Sequence, residues 1–237
     1  MSEPTSSPPE FSTATDFVDA GMNEIAARIL AAALELFARK GYTATTVREI
    51  VSEADVTNPM LYYYFDSKQG VFIALIEVLY ESMAEAIDEI VEREEGLRNQ
   101  LREVARLHFD ACADAPEVLR FVYSVSFGPV ESRPEFEVPA AEAVIASRID
   151  NAFREAIDRG KFHPQPGFDS VFLTERFMGQ ISHHLMGFLG IEDDNYNRGD
   201  HPFDNRNTPD DYLGDAAIEQ MLDFFFGGAG RLDREAT

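Results

Sequence analysis

TTVREIVSEADVTNPMLYYYFDSK, residues Thr45 to Lys68, decides the fold. Val47, Ile50, Val51 and Ala54 recur at three- and four-residue steps and form one apolar face of a short helix. Asp55 follows where a tight turn needs a residue that tolerates a left-handed backbone; glycine suits such a position best, and Asp is among the few substitutes. Thr57 is placed to cap a second short helix, and Pro59 fits its first turn because no intrahelical bond is lost for the missing N–H. Leu61 and Phe65 then turn inward at helical spacing. Two short helices joined by a tight turn make a helix-turn-helix.

The flanks extend the pattern. Upstream, about Asn23 to Arg39 reads as a helix with Ile25, Ile29, Ala33 and Phe37 on one stripe and Leu30 and Leu34 beside it, wide enough for the core of a three-helix domain. Arg39 and Lys40 offset its dipole and Gly41 ends it. Downstream, Phe72, Leu75, Ile76, Leu79, Met83, Ile87 and Ile90 continue one long helix from Lys68 to about Glu94. Further helices are expected over about 97–113, 116–127, 139–159, 168–189 and 210–226, separated by Pro116, FGPVESRP, Gly160 with Pro164 and Pro166, and the polar stretch from Ile191. No strand-like alternation of useful length appears, so the chain reads as all-α.

ILAAALELFARKGYTATTV, the stretch quoted first and FDSKQGVFIALI together resemble the N-terminal domain of the tetracycline-repressor (TetR) family of bacterial regulators. The features carrying the resemblance are Gly41–Tyr42 after an apolar helix, then Thr-Thr-Val-Arg-Glu-Ile, Val-Thr, Leu-Tyr-Tyr-Tyr-Phe and Ser-Lys at that family's spacing. It covers roughly residues 23–80. It implies a three-helix DNA-binding domain over 22–68 and a larger helical effector-binding and dimerisation domain over 69–237. Met1 to about Gly21, acidic and rich in Ser, Thr and Pro, is expected to be a disordered arm. The implied function is a homodimeric repressor that a small-molecule effector releases from a palindromic double-stranded operator.

Composition bounds this reading. Hydrophobic content of 45% fills a core, yet the apolar runs are too short and too interrupted by charge to span a bilayer. The acidic, Ser-, Thr- and Pro-containing N-terminal residues are not expected to act as a signal peptide, and the single cysteine, Cys112, excludes an internal disulfide within this sequence. A cytoplasmic bacterial protein, associated with the nucleoid when on its operator, is the expectation. The net charge of −23 is unusual for a DNA binder, but Asn23–Lys68 holds five basic and six acidic residues, a net of about −1, so −22 lies elsewhere. Screening beyond roughly 8–10 Å lets a local cationic face still engage phosphates. The acidity, and an asparagine at position 58 where many relatives carry Lys or Arg, support a rival reading: an all-α interaction or ligand-binding protein that has lost DNA binding.

Several DNA contacts are expected. Thr45 and Thr46 open the second helix, where a hydroxyl can cap or donate to phosphate. Arg48 points outward and has the fork that reads guanine, its competing role being a pair with Glu49 or Glu53. Thr57, Asn58, Pro59 and Met60 should face the major groove, Asn58 with the amide that reads adenine. Tyr62, Tyr63 and Tyr64 are consecutive and cannot all face one core, so phenols reach outward to phosphate. Lys68 is the expected phosphate clamp.

Catalytic patterns are absent: no P-loop, dinucleotide fingerprint, nucleophile elbow or HExxH occurs, and no cofactor or enzymatic activity is expected. His108 and Cys112 are spaced i, i+4 as for a soft metal, but two ligands without a third favour packing. Asp193, Asn195 and Asn197 alternate as in a calcium loop, yet the glycine falls one place late and Asp204 stands at the twelfth position, which favours a solvated acidic loop over Glu192–Asp211. An effector pocket would draw on His108, Phe109, Phe121 and Tyr123, with Phe127, Phe177 and His183, each equally explicable as core. For the dimer face, the last helices offer Phe177, Ile181, Leu185 and Phe188 with Met221, Phe224 and Phe225, since three adjacent phenylalanines cannot all be buried in one small core.

Overall fold

The computed structural model describes residues 13–127, 134, 138–192 and 209–232. Its helices are α1 (Ala14–Asp19), α2 (Glu24–Lys40), α3 (Val47–Glu53), α4 (Asn58–Phe65), α5 (Lys68–Arg93), α6 (Leu97–Asp114), α7 (Pro116–Phe127), α8 (Val138–Asp158), α9 (Ser170–Glu192), α10 (Pro209–Leu213) and α11 (Asp215–Ala229). Among the described residues the fold is all-α but for two short strands, β1 (Phe162–Pro164) and β2 (Gly230–Leu232), paired antiparallel with Phe162 opposite Leu232. Alternation cannot announce strands of three residues. Gly230 permits the pairing, since a Cβ there would lie 2.4 Å from the His163 carbonyl oxygen. Among the described residues no helix is long and apolar enough to cross a membrane. The calcium-loop positions Asp193, Asn195, Asn197 and Asp204 fall outside the described residues.

The chain packs as two compact units, and the division differs from a cut at residue 68. One unit, the head, runs to Glu85 and takes in Asp114–Val144; the other holds Ala86–Ala113 and the chain from Ile145 onward. In the head, α2 buries Ile29, Leu30, Ala33, Leu34 and Phe37 against Ile50 and Val51 of α3, Leu61 and Phe65 of α4, and Val71, Phe72 and Leu75 of α5. Helix α7 joins this core. Phe121 stacks on Phe37 at 5.8 Å and meets Phe72 edge-on at 5.9 Å, geometries that add to the burial of the rings themselves. Phe121 is therefore part of the head core.

The arm reading of 1–21 does not hold from Thr13 onward. The backbone N–H of Thr13 donates to the Asp16 carboxylate at 2.5 Å and its hydroxyl does so at 2.9 Å, starting α1. Phe17 is then wholly buried in the head core. A six-residue helix with one large apolar anchor has too little period to be read from sequence. Phe17→Ala should lower unfolding free energy by about 3 kcal/mol, seen as a drop in denaturant midpoint with little change in slope.

Candidate nucleic-acid interface

The turn between α3 and α4 is built as its residues require. Asp55 has φ of 50°, the left-handed conformation expected there. Arg28 of α2 donates to the Asp55 carbonyl oxygen at 2.8 Å and to its carboxylate at 3.2 Å, so α2 supports the residue that replaces glycine. Pro59 lies in the first turn of α4, while Thr57 occupies the cap position without a side-chain capping bond. Leu61 and Phe65, both buried, set the rotation of α4. The rows Asn58–Tyr62 and Pro59–Tyr63, each one turn apart, consequently face out. Tyr62 is 49% and Tyr63 81% exposed, whereas Met60 and Tyr64 are half-buried, with Tyr64 edge-on to Tyr63 at 5.0 Å. The corner into α5 needs Gly70, because a Cβ there would sit 1.8 Å from the Phe65 carbonyl oxygen.

Helix α3 corrects one expected contact. Thr45 is 1% exposed and its hydroxyl donates to the Gly41 carbonyl at 2.9 Å, so it closes the end of α2 and has no face for DNA. Thr46 is exposed but engaged in a capping box: its hydroxyl donates to the Glu49 carboxylate at 2.7 Å, and its N–H donates to the same oxygen at 2.9 Å. Lys40 adds an ion pair to Glu49 at 2.5 Å. The hydrogen bond from Lys40, then those from the Thr46 side chain and backbone, lower the Glu49 carboxyl from 4.5 to about 2. The sign follows: a depressed carboxyl contributes stability above its unfolded pKa and loses it as pH falls through about 2. In a carbon-13 titration Glu49 should keep its charge at pH 3.5, where unconstrained glutamates are largely protonated.

Charge on this face is sparse but directed. Of the five basic residues from Asn23 to Lys68, Arg28 is tied to Asp55, Arg39 to Glu35, Lys40 to Glu49, and Lys68 to backbone carbonyls. Arg48 is exposed and has no ion-pair partner among the described residues. The competing pairing with Glu49 or Glu53 is not formed. A free guanidinium and two exposed phenols on neighbouring helices can engage base edges and phosphates of one duplex.

The effector candidates are not gathered into one unit. Phe121 and Tyr123 belong to the head; His108, Phe109, Phe177 and His183 belong to the other unit, and the Phe127 side chain lies outside the described set. His108 is buried, and its Nδ1 lies 2.7 Å from the Val104 carbonyl oxygen. Its Nε2 has no hydrogen-bond partner among the described residues. Burial lowers its pKa despite the Val104 bond, favouring a neutral ring. Cys112 is buried too, and no group of three His, Cys, Asp or Glu among the described residues is placed to hold a metal.

The dimer candidates divide sharply. Phe177, Ile181, Leu185, Phe188, Met221 and Phe225 are all at most 5% exposed within the single chain, so they are its own core. Phe225 packs on Phe177 at 5.7 Å and on Phe153 at 5.8 Å, and Phe226 on Phe162 at 5.9 Å. Phe224 alone of the three faces out, 78% exposed. It lines an open groove of about 1100 Å3 along α9 and α11 with Phe172, Gly179, Gly227 and Gly228. Val171 and Met186 of α9 are also exposed. The sequence reading missed Val171, Phe172 and Met186, although Phe172, Gly179, His183 and Met186 share a helical stripe that could have shown them.

Ion pairs fix α11 in this orientation. Arg98, Arg102 and Arg106 recur every four residues on α6 and meet Asp223, Glu219 and Asp215 at the same step on α11. The opposite order of partners makes the two helices antiparallel.

Residues 29–75 match the family model described as bacterial regulatory proteins, tetR family. The HTH-type transcriptional regulator YfiR of Bacillus subtilis is 27% identical over 141 residues, 58% of this chain and 68% of its own. FasR, an HTH-type transcriptional activator of Mycolicibacterium smegmatis, is 22% identical over 209 residues, 85% of this chain and 81% of its own. Against other curated regulators the chain spans only 19–27% of their length. The solved structure of the transcriptional regulator FadR from Bacillus subtilis, in complex with stearoyl-CoA, has a TM-score of 0.65 at 18% identity, covering 85% of this chain and 97% of that one. That likeness carries the fold.

Proposed function

We propose that this chain is a regulator of the TetR family, whose model its residues 29–75 match, and that it works as a homodimeric, effector-responsive repressor of transcription acting in the cytoplasm. Each head places α4 in a major groove, with Asn58, Pro59, Tyr62 and Tyr63 toward the duplex and Arg48 of α3 beside it. The observation that carries this reading is the exposed Arg48 of α3, without an ion-pair partner among the described residues while the neighbouring cations are engaged within the chain, together with the outward rows of α4. The exposed face of α9 and α11 around Phe224 is the proposed two-fold contact between copies. A contact of that symmetry pairs two heads for a palindromic site.

A small-molecule effector would act by favouring a head spacing that does not match successive major grooves. The C-terminal unit is its proposed seat, supported by the acyl-CoA in the FadR complex and by the unsatisfied Nε2 of His108, an acceptor for a hydroxyl or amide donor. Selection of duplexes from a random library by the purified protein tests the reading. Enrichment of an inverted repeat, with half-sites one helical turn or a multiple of it apart, is expected. Recovery of no motif, or of a single unrepeated half-site, would contradict it.

A further inference from the structure

Lys68 is the first residue of α5, where a cation opposes the positive end of the helix dipole. Its side chain carries the charge elsewhere. Nζ donates to the Thr45 carbonyl oxygen at 2.7 Å and to the Tyr42 carbonyl oxygen at 2.9 Å. It also lies 4.1 Å from the centroid of the Tyr42 ring, close enough for a cation–π contact. That ring is held in turn, 5.5 Å from Phe37 and 5.1 Å from Phe72, inside the aromatic core of the head. The carbonyl of Gly41 is taken by the Thr45 hydroxyl. The connection from α2 to α3 is thereby tied at Gly41, Tyr42 and Thr45, and Lys68 supplies two of those ties. Thr46, the cap of α3, comes next, and Arg48 stands in the first turn that follows.

We infer that Lys68 is a positioning residue that fastens the α2–α3 connection to the start of α5 and so sets Arg48 against the duplex, and that it is not a phosphate clamp. Two of the three ammonium N–H groups are committed to carbonyls. Swinging the ammonium out to a phosphate would strip both carbonyls of this donor and leave the Tyr42 ring, loosening the segment that leads into α3. Burial contributes as well, lowering the Lys68 pKa, with Lys40 adding a smaller effect of the same sign. The inference rests on the DNA-binding reading above.

The test is Lys68→Met on the inverted-repeat duplex recovered by selection, with wild type and Arg48→Ala alongside across a salt series. The base pair read by Arg48 is the one whose replacement weakens wild type but not Arg48→Ala. Lys68→Met should bind about tenfold more weakly at every salt concentration, with a log–log slope parallel to wild type, and should lose discrimination at that base pair. A slope reduced by about 0.9 per subunit with discrimination intact would overturn the inference, because that is the signature of one lost phosphate contact. Failure of wild type to bind any duplex would instead remove the DNA-binding reading itself.

Should Lys68→Met not fold, the wild-type ammonium groups give the answer. The chain has three lysines, Lys40, Lys68 and Lys161, so nitrogen-15 lysine labelling yields a simple spectrum. The Lys68 ammonium signal should keep its position when the duplex is added. A nitrogen–phosphorus coupling appearing on that signal would overturn the inference.

Discussion

Phe224→Glu should convert the proposed dimer to monomer and weaken binding to the proposed inverted repeat by at least about a hundredfold. The reason is the orientation of α11. Phe225 and Phe226 are buried against Phe153, Phe177 and Phe162, and the arginines of α6 hold the acidic face of the helix, so Phe224 can only point away from the chain. An exposed phenylalanine in an open groove beside glycines is a poor solvated surface and a good two-fold contact. Glutamate there brings like charges together across the axis, next to Asp223. Because Phe224 contributes little to its own fold, the variant should melt within a few degrees of wild type while sedimenting at half the mass. Phe225→Ala is the counter-experiment: it opens the internal core, and the unfolding free energy should fall by about 3–5 kcal/mol. If Phe224→Glu remained a dimer, the α9–α11 face would not be the interface.

Arg48→Ala should remove about 1–3 kcal/mol per subunit, roughly thirtyfold to some ten-thousandfold for a dimer, with the loss concentrated at one symmetry-related pair of base positions. Arg48 is exposed, its neighbour Glu49 is occupied by Thr46 and Lys40, and no ion pair among the described residues competes for it. Tyr63→Phe is the contrast. Tyr63 is the most exposed aromatic of α4 and its hydroxyl suits a phosphate, so its loss should weaken all sequences alike. Equal weakening of every sequence by Arg48→Ala would reassign it from base reading to backbone contact. Competitive binding with duplexes altered one base pair at a time separates the two.

Much of the fold was legible in the sequence because it follows from periodicity and turn chemistry. The stripe from Ile25 to Phe37, the inward pair Leu61 and Phe65, and the left-handed Asp55 were each readable from residue type and spacing alone. Helix α1 was not, since its evidence is one phenylalanine in a segment dominated by polar residues and proline. Nor was the membership of α7 in the head, because Phe121 shows an apolar face without showing which core that face meets. Thr45 and Thr46 are adjacent and chemically identical, and only the three-dimensional end of α2 decides that the first is buried and the second outward.

The proposed dimer surface shows why neighbours matter. An apolar residue that packs inside one chain and one that packs against a copy obey the same preference for leaving water. Phe224 and Phe225 therefore look alike until their neighbours are placed. Lys68 is a parallel case in charge: a lysine at a helix start reads as a cation for a phosphate until two backbone carbonyls are found within hydrogen-bond reach.

Titrating the purified protein against DNA flanking its own gene, across a salt series with the dimer confirmed by mass, tests the central claim most directly. Sequence-selective binding of one dimer per inverted repeat is expected, with the logarithm of affinity falling linearly against log salt. A folded dimer, refolded to strip any bound ligand, that shows no selectivity at low salt would contradict it and leave the acidic interaction-protein reading standing.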